Sequence, residues 1–255
     1  MKTKNDWCFR FFNNPDYLDI YRDMTSPSRT HQELRMCEEV LKWREGEPIL
    51  DAPCGAGRHS LDLARQGHLV YGVDISNYLL GIAQKESINL TVQYPPRFVR
   101  GLMQALPFKD CYFQYAICLF SSFGYGENEK ENLAVLEEFA RVLYPGGKAL
   151  IDVMNRHYLT PRLKKVYESV QSGLRVREER TITDNERRLH NSIMVCDPQG
   201  HKRRYLYNPW LFNGFELSWL VSRAGLKVEA IYGNFRAETY TPQSERAIVV
   251  AVKPV

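Results

Sequence analysis

The stretch "ILDAPCGAGRHS" (residues 49–60) decides how the rest of the chain is interpreted. An apolar run ends at Asp51, a turn with two glycines follows, and the next residues place apolar side chains at helical spacing. This order predicts a short buried strand, a tight turn and a helix. Ligands of open α/β sheets bind at the carboxyl ends of the strands, so this turn is the leading candidate for a binding site.

Strands and helices continue to alternate up to about residue 154, which predicts parallel βαβ units in a doubly wound sheet. A predicted helix ending at Gly225 is followed by two more strands, 226–233 and 246–253, and we expect this last pair to run antiparallel to the others. The predicted fold is α/β and Rossmann-like, with a mostly parallel seven-stranded sheet.

Residues 174–208 have a different pattern, with three extended runs joined by "DNE" (184–186) and "DPQG" (197–200). Both connections are good turn sequences, so we expect an inserted antiparallel β-meander of three strands.

The residues before the sheet are rich in aromatic side chains and contain two prolines, and we interpret them as irregular. Ser28 or Thr30 is expected to begin a helix that extends to about Arg44. The predicted domains are an N-terminal aromatic segment that is a candidate lid (1–28), a ligand-binding α/β domain (29–156 and 205–255), and a β-rich insertion that shapes a substrate pocket or a dimer contact (157–204).

The glycine turn has four possible interpretations: a phosphate site, a dinucleotide site, a reactive cysteine and an S-adenosylmethionine site. A phosphate-binding P-loop needs a Lys after its last Gly, and none follows here. A dinucleotide fingerprint needs Gly or Ala at the position of Ser60. A reactive Cys54 would lie where a cofactor binds, and no activating partner is evident. S-adenosylmethionine has no phosphate and needs close backbone approach and an acid after the second strand, where Asp74 lies. NAD would use the same acid, so Ser60 is the residue that discriminates.

The segment "LDAPCGAGRHSLDLARQGHLVYGVDIS" (50–76) resembles the first two motifs of class I S-adenosylmethionine-dependent methyltransferases, in particular a bacterial branch whose turn reads Asp-x-Pro-Cys-Gly-x-Gly-Arg-His. The resemblance continues through "LPFKDCYFQYAICLFSSFGYG" (106–126) and "VLYPGGKALIDVMNR" (142–156). It covers about residues 29–156 and 205–253. It implies the fold and the cofactor S-adenosylmethionine, and it does not name the methyl acceptor.

The resemblance also implies cofactor-binding residues. Asp74 would bind the ribose diol and Ile75 would pack on the adenine, while Arg29 is a candidate clamp for the methionyl carboxylate. The turn residues Asp51, Ala52, Gly55 and Gly57 would hold the methionyl part. The rest of the predicted set follows the third and fourth strands and consists of Met103, Gln104 and Leu119. The chain departs from the family where Pro53 replaces the first glycine and where Leu102 replaces an acid after the third strand.

Methyl transfer is an in-line displacement at a sulfonium, so the protein need not supply a nucleophile. A base is needed only when the acceptor is an alcohol, a phenol or a protonated amine. His157, after the fifth strand, is the candidate general base, and a solvated loop histidine is the alternative. Tyr125, after the fourth strand, is a candidate polar contact, and a locally bonded hydroxyl is the alternative.

Composition and motifs limit the classes of substrate and partner that we expect for this protein. A net charge of +4 is mild, and "SSFG" (121–124) does not match the Asn/Asp-Pro-Pro-Tyr/Phe motif of DNA amino-methylating enzymes, so we do not expect nucleic acid as the substrate. The six cysteines form no CxxC pair, which favours reduced thiols in a cytoplasmic protein without a metal site. No apolar run predicts a membrane span.

We expect methylation at O or N of a small molecule, with a homodimer as one arrangement. The alternatives are an RNA or protein methyltransferase and a non-catalytic S-adenosylmethionine-binding protein.

Overall fold

The computed structural model describes residues 6–183 and 187–255, which form a seven-stranded sheet, a four-stranded sheet and the helices around them. The strands are β1 (Pro48–Asp51), β2 (Leu69–Asp74), β3 (Arg97–Arg100), β4 (Phe113–Cys118), β5 (Leu143–Met154), β6 (Val166–Gln171), β7 (Leu174–Thr183), β8 (Arg188–Cys196), β9 (Lys202–Tyr207), β10 (Lys227–Tyr232) and β11 (Arg246–Val252). The helices are α1 (Asp6–Phe12), α2 (Asp16–Tyr21), α3 (Pro27–Leu41), α4 (Arg58–Arg65), α5 (Asn77–Ile88), α6 (Glu129–Val142), α7 (Arg156–Leu159) and α8 (Gly214–Arg223), with 3₁₀ turns at Arg22–Thr25 and Thr160–Arg162.

The large sheet has the strand order β10-β11-β5-β4-β1-β2-β3, and its first five strands along the chain are parallel. This confirms the predicted fold. β11 runs antiparallel to β5, and β10 runs antiparallel to β11. The prediction of an antiparallel final pair is therefore right for β11 and wrong for β10, because β10 returns to the common direction. The order reverses beside β1, so the carboxyl ends of β1 and β4 border a crevice.

Neighbouring residues of β1 serve opposite faces of the sheet, since side chains alternate along a strand. Ile49 packs in a cluster with Leu34 of α3 and Leu63 of α4. Leu50 belongs to the core on the other face, which includes Leu136 of α6. Both faces of the sheet are thus covered, as the uninterrupted apolar strands require.

Three local predictions differ from the structure. The N-terminal aromatic residues form helices α1 and α2 rather than irregular chain. Helix α3 begins directly after Ser26 with Pro27 in its first turn, where proline is favoured, and it ends at Leu41 because Lys42 is left-handed (φ 53°). Helix α6 ends because Leu143 is extended and starts β5, so the glycines of "YPGG" lie inside a strand and do not stop the helix.

The inserted sheet is antiparallel as predicted, but it has four strands, β6-β7-β8-β9. The additional strand β6 joins β7 through Ser172 and Gly173, which both have positive φ (52° and 82°), as a tight hairpin turn requires. The predicted turn at 197–200 is present, with Gly200 N–H donating to the carbonyl of Asp197 at 2.9 Å. The predicted "DNE" turn (184–186) falls outside the described residues.

Helices α1 and α2 pack on the inner face of this second sheet. Phe11 and Ile20 from the helices share a buried cluster with Val176 of β7 and Ile193 of β8. The N-terminal segment therefore joins the inserted sheet to the rest of the molecule. None of the helices described has the length and apolarity needed to cross a membrane.

Candidate active site

A cavity of about 600 Å³ lies at the carboxyl ends of the central strands, within the roughly 300–1,000 Å³ typical of small-molecule sites. The glycine turn and the ends of β2 and β3 form one side, the loop after β4 forms the other, and the N-terminal segment forms a roof. The cavity is lined by Cys8, Phe12, Tyr17, Leu18, Thr25, Pro53, Cys54, Gly55, Ala56, Arg58, His59, Asp74, Ile75, Leu79, Gly101, Leu102, Met103, Gln104, Leu119, Phe120, Ser122, Tyr125, Glu127 and Glu131.

Asp74 ends β2 with its carboxylate at the cavity wall. Its Oδ2 accepts the backbone N–H of Gly55, and its Oδ1 accepts the N–H of Ser76, both at 2.8 Å. Burial raises the pKa of Asp74 to about 6, although the two backbone donors oppose this shift. The carboxylate is thus held in one orientation and can accept hydrogen bonds from hydroxyl groups of a ligand.

The two glycines of the turn have different surroundings. Gly55 (φ 56°) lines the cavity, and a Cβ there would meet only Leu79 Cδ1, at 4.0 Å. Gly57 (φ 81°) does not line it, and a Cβ there would lie 2.9 Å from both Ala83 Cβ and Phe98 Cζ. Gly57 therefore allows the turn to pack on α5 and β3, whereas Gly55 brings backbone to the cavity.

Asp51 and Ala52 lie beneath the turn and outside the cavity lining. Asp51 is fully buried, its Oδ2 accepts Ser60 Oγ–H at 2.6 Å, and burial raises its pKa. Its Oδ1 has no hydrogen-bond partner among the described residues. Ser60, which argued against a dinucleotide, thus orients this carboxylate.

Arg58 is a cavity residue that the sequence interpretation missed. Its Nη1 contacts Glu33 Oε2 at 2.6 Å and Thr30 Oγ1 at 2.8 Å. Its Nη2 is buried and has no hydrogen-bond partner within residues 6–183 and 187–255. The signal for Arg58 was its place just after the second glycine, at the first residue of α4.

Glu33 fixes that guanidinium from α3. His59 Nε2 lies 2.8 Å from Glu33 Oε2, and Arg29 Nε lies 3.0 Å from Oε1. Burial alone would raise the pKa of Glu33, but the hydrogen bond with His59 and the charge of Arg58 lower it to about 2. Arg29, the predicted clamp, is bonded to Glu33 and does not line the cavity.

The remaining predicted cofactor residues, Ile75, Met103, Gln104 and Leu119, all line the cavity. Cys54 lines it as well, and burial raises the pKa of its thiol well above the ordinary value. A protonated, buried thiol fits the interpretation of Cys54 as a small packing residue rather than a nucleophile.

The roof is bonded to both neighbouring parts of the molecule. On one side, Ser76 Oγ–H donates to the carbonyl of Phe12 at 2.8 Å, and Asn13 Oδ1 accepts the N–H of Tyr78 at 3.0 Å. On the other side, Arg203 of β9 contacts both carboxylate oxygens of Asp16, at 2.7 and 3.1 Å. The residues that begin α5 therefore hold the roof directly.

Tyr125, a candidate catalytic residue, lies in the loop after β4 and lines the cavity. Its hydroxyl donates to the carbonyl of Ser121 at 3.2 Å, and its ring packs edge-on against Trp7 at 5.6 Å. Burial and the neighbouring Tyr207 raise its pKa well above the ordinary value, so the phenol stays neutral. Glu127 and Glu131 line the cavity near the start of α6.

His157, the other candidate catalytic residue, is exposed and does not line the cavity. Its N–H is bonded to Asn155 Oδ1, and its Nε2 lies 3.3 Å from Asn213 Nδ2, at the start of α8. Because α7 turns away from the carboxyl end of β5, His157 is not positioned to take a proton from a molecule in the cavity.

Comparison with known proteins gives a consistent class of relatives. A family model described as a methyltransferase domain matches residues 49–147. The chain is 28% identical over 210 residues to the cypemycin N-terminal methyltransferase of a Streptomyces species, covering 81% of this chain and 83% of that protein. It is 38% identical over 122 residues to the 2-phytyl-1,4-naphtoquinone methyltransferase of Nostoc punctiforme, which is 45% of this chain and only half of that protein.

Solved structures share the fold at low identity. The CcbJ methyltransferase from Streptomyces caelestis has a TM-score of 0.81 at 17% identity, over 96% of this chain and 98% of that chain. The S-adenosylmethionine-bound CalS10, an amino pentose methyltransferase from Micromonospora echinaspora, has a TM-score of 0.69 at 19% identity, over 94% and 97% of the two chains.

Proposed function

Because the chain is an S-adenosylmethionine-dependent methyltransferase with S-adenosylmethionine as its cofactor, we propose that it methylates a nitrogen or oxygen atom of a small molecule. The observation that carries this proposal is the roofed cavity, which joins the glycine turn and Asp74 to a second end walled by aromatic and acidic side chains. A volume of about 600 Å³ suits a cofactor and a small acceptor better than a folded macromolecule.

The residues at the turn fit the cofactor in chemistry. The buried Nη2 of Arg58 lacks an acceptor and the buried Oδ1 of Asp51 lacks a donor, among the described residues. An amino-acid group carries both a carboxylate and an ammonium, and its carboxylate would satisfy Nη2 of Arg58. We therefore assign the methionyl carboxylate to Arg58, which lines the cavity, with the backbone of Gly55 beside it, while Asp51 lies beneath the turn and supports it from below.

The rest of the cofactor would occupy the strand ends. The Asp74 carboxylate would accept the ribose hydroxyls, and Ile75 and Met103 would pack on the adenine, with Gln104 in reach of its polar edge. Leu119 would close the apolar wall beside the fourth strand. When bound, S-adenosylmethionine supplies an electrophilic methyl group on a sulfonium.

The chain's own contribution is to hold the acceptor in line and to exclude water. The roof provides Phe12 and Tyr17, and the loop after β4 provides Phe120 and Tyr125. Aromatic faces favour cationic groups and form a dry wall. We assign the N-terminal segment 1–28 the role of a lid and the insertion 157–204 the role of supporting it.

The charges favour an amine as the acceptor. At the turn, Arg58 and His59 are already engaged by Glu33, whereas Glu127, between β4 and α6, and Glu131, in α6, add acidic side chains to the cavity lining. Glu131 Oε2 accepts the backbone N–H of Glu127 at 2.8 Å, and the Glu127 carboxylate makes no hydrogen bond or ion pair with another described residue. A protonated amine would be attracted there, and the carboxylate would take its proton before the nitrogen attacks.

The test is methylation of a panel of small amines, alcohols and phenols, followed by mass spectrometry. We expect amines to be methylated, and we expect Glu127→Gln to lower kcat/KM for a cationic amine by roughly 100-fold or more, since a positioned proton acceptor typically contributes about 10²–10⁴-fold. The matched control is Glu129→Gln, two residues further along at the start of α6, where the carboxylate is paired with Arg223 and does not line the cavity.

Three outcomes would count against the proposal. Methylation of phenols with no amine methylated would overturn the acceptor class, and equal loss in both variants would overturn the role of Glu127. Methylation of RNA or of folded protein, weakening steeply with salt for RNA, would favour a macromolecular substrate. A homodimer and the exclusion of nucleic acid stay predictions.

A further inference from the structure

Two consecutive residues after β4 have left-handed backbone conformations. Phe120 has φ 60° and Ser121 has φ 56°. Such conformations are unfavourable for any residue that is not glycine, and they persist where surrounding contacts impose them. Phe120 lines the cavity, so the strained pair lies within its wall.

A buried ion pair between β5 and β11 imposes this conformation. Arg246 Nε lies 2.7 Å from Asp152 Oδ1, and Arg246 Nη2 lies 2.6 Å from Asp152 Oδ2. The same Oδ2 accepts the N–H of Phe120 at 2.9 Å, and the same Nη2 donates to Ser121 Oγ at 2.8 Å. Ser121 Oγ also accepts the N–H of Met154 at 2.9 Å. Each strained residue is therefore bonded to the ion pair.

The strained pair determines the position of two parts of the site. The Phe120 ring lies under the guanidinium of Arg58, 5.2 Å from its central carbon, and under that of Arg29 at 5.4 Å. The carbonyl of Ser121 accepts the hydroxyl of Tyr125. A shift of this loop would move the support of Arg58 and the aromatic wall together.

A contribution to folding stability does not explain the buried Asp152–Arg246 ion pair well. Asp152 is fully buried and Arg246 is 7% exposed, and the desolvation of a buried ion pair commonly offsets its attraction. Apolar residues at both positions would cover β5 and β11 equally well. What apolar residues could not do is bond the N–H of Phe120 and the hydroxyl of Ser121.

We propose that Arg246 and Asp152 are positioning residues for methyl transfer, which act through Phe120 and Ser121 on Arg58 and Tyr125. This inference rests on the proposed function, because Arg58 matters for turnover only if it holds the methionyl carboxylate. The pair acts on alignment and carries no proton or methyl group itself.

The test uses the double variant Arg246→Met/Asp152→Asn, which leaves no unpaired buried charge. We expect a folded protein whose affinity for S-adenosylhomocysteine falls by about tenfold, and whose kcat falls by roughly 10–100-fold, as misplacement by about 1 Å commonly causes. The KM for the acceptor should change less than kcat. Thermal unfolding reports the folded fraction.

Two further variants make the result specific. Arg246→Lys keeps the charge and can bond one oxygen, so it should recover part of kcat. Lys148→Met breaks the Lys148–Glu229 ion pair (2.8 Å), which links the same region of the sheet away from the cavity, and it should leave kcat and affinity unchanged.

Cofactor affinity separates this inference from the proposed function, since it needs no acceptor. If amines are not substrates but the double variant still binds S-adenosylhomocysteine more weakly, the acceptor proposal fails and the positioning role stands. If the double variant loses thermal stability while its folded fraction keeps wild-type affinity and kcat, the pair is structural only and the inference is wrong.

Discussion

The backbone N–H of Gly55 donates to Oδ2 of Asp74 at 2.8 Å, which links the turn after β1 to the end of β2. The same carboxylate is bonded to Ser76, where α5 begins. The glycine turn and the predicted ribose acceptor are thus one hydrogen-bonded unit. Charge on Asp74 should therefore govern cofactor binding.

Cofactor affinity should depend on pH through Asp74. Burial raises its pKa to about 6, and the proposed binding of the ribose hydroxyls requires the ionised carboxylate as acceptor. Affinity for S-adenosylhomocysteine should be constant above pH 7 and should fall by about tenfold for each pH unit below 6, as expected for linkage to one proton. Calorimetric titration of wild type and Asp74→Asn from pH 5 to 8 measures this. Asp74→Asn should bind weakly with a flatter profile, and identical profiles would contradict the prediction.

Glu33→Gln should destabilise the protein at neutral pH by on the order of 3 kcal/mol, because one partner of a buried ion pair is removed. The Glu33 pKa lies near 2 in the folded state and near 4.5 otherwise, so its contribution is present above about pH 4.5 and is lost as pH falls toward 2. Urea unfolding at pH 7 and pH 3 measures both effects. The control Glu39→Gln is exposed on the same helix and should change little.

Gly57→Ala should be more damaging than Gly55→Ala. Both glycines have positive φ, which costs an alanine about 1 kcal/mol, but only at position 57 would the new Cβ also lie 2.9 Å from Ala83 and Phe98. Overpacking adds about 1–3 kcal/mol. Thermal unfolding of the two variants tests the order, and Ala83→Gly combined with Gly57→Ala should recover part of the loss.

Asn13→Ala should loosen the roof. The variant removes the acceptor of the Tyr78 N–H at 3.0 Å and one contact to Ser76 at 3.2 Å. We expect S-adenosylhomocysteine to dissociate several-fold faster. The reason is that a hydrogen bond between two uncharged groups, such as the one to the Tyr78 N–H, contributes about 1 kcal/mol. Stopped-flow displacement measures the rate. As a control, Asn89 is exposed at the other end of α5, and S-adenosylhomocysteine should dissociate from Asn89→Ala at the wild-type rate.

The sequence predicted those features that depend on neighbours in the chain. The apolar run before Asp51, the alternation of strands and helices, and the acid at the end of "HLVYGVD" are local patterns, and each led to a correct element. The strand β6 was missed because "VYESVQ" is mostly exposed and lacks a clear apolar face.

Site residues were harder to predict where long-range contacts decide them. Arg58 is fixed by Thr30 and Glu33 of another helix, and no spacing near Arg58 reveals that contact. Arg29, which the same reasoning favoured, bonds to Glu33 from the far side. His157 was placed correctly after β5, but the direction of α7 carried it out of the cavity.

The bond between Asp16 and Arg203 joins residues 187 positions apart. During synthesis on the ribosome, at about 5–20 residues per second, the roof helices emerge roughly 10–40 seconds before their partner strand. Until then Phe11 has no sheet to cover it. The newly synthesised chain thus exposes the aromatic residues of its N-terminal helices until the strands of the inserted sheet have been made.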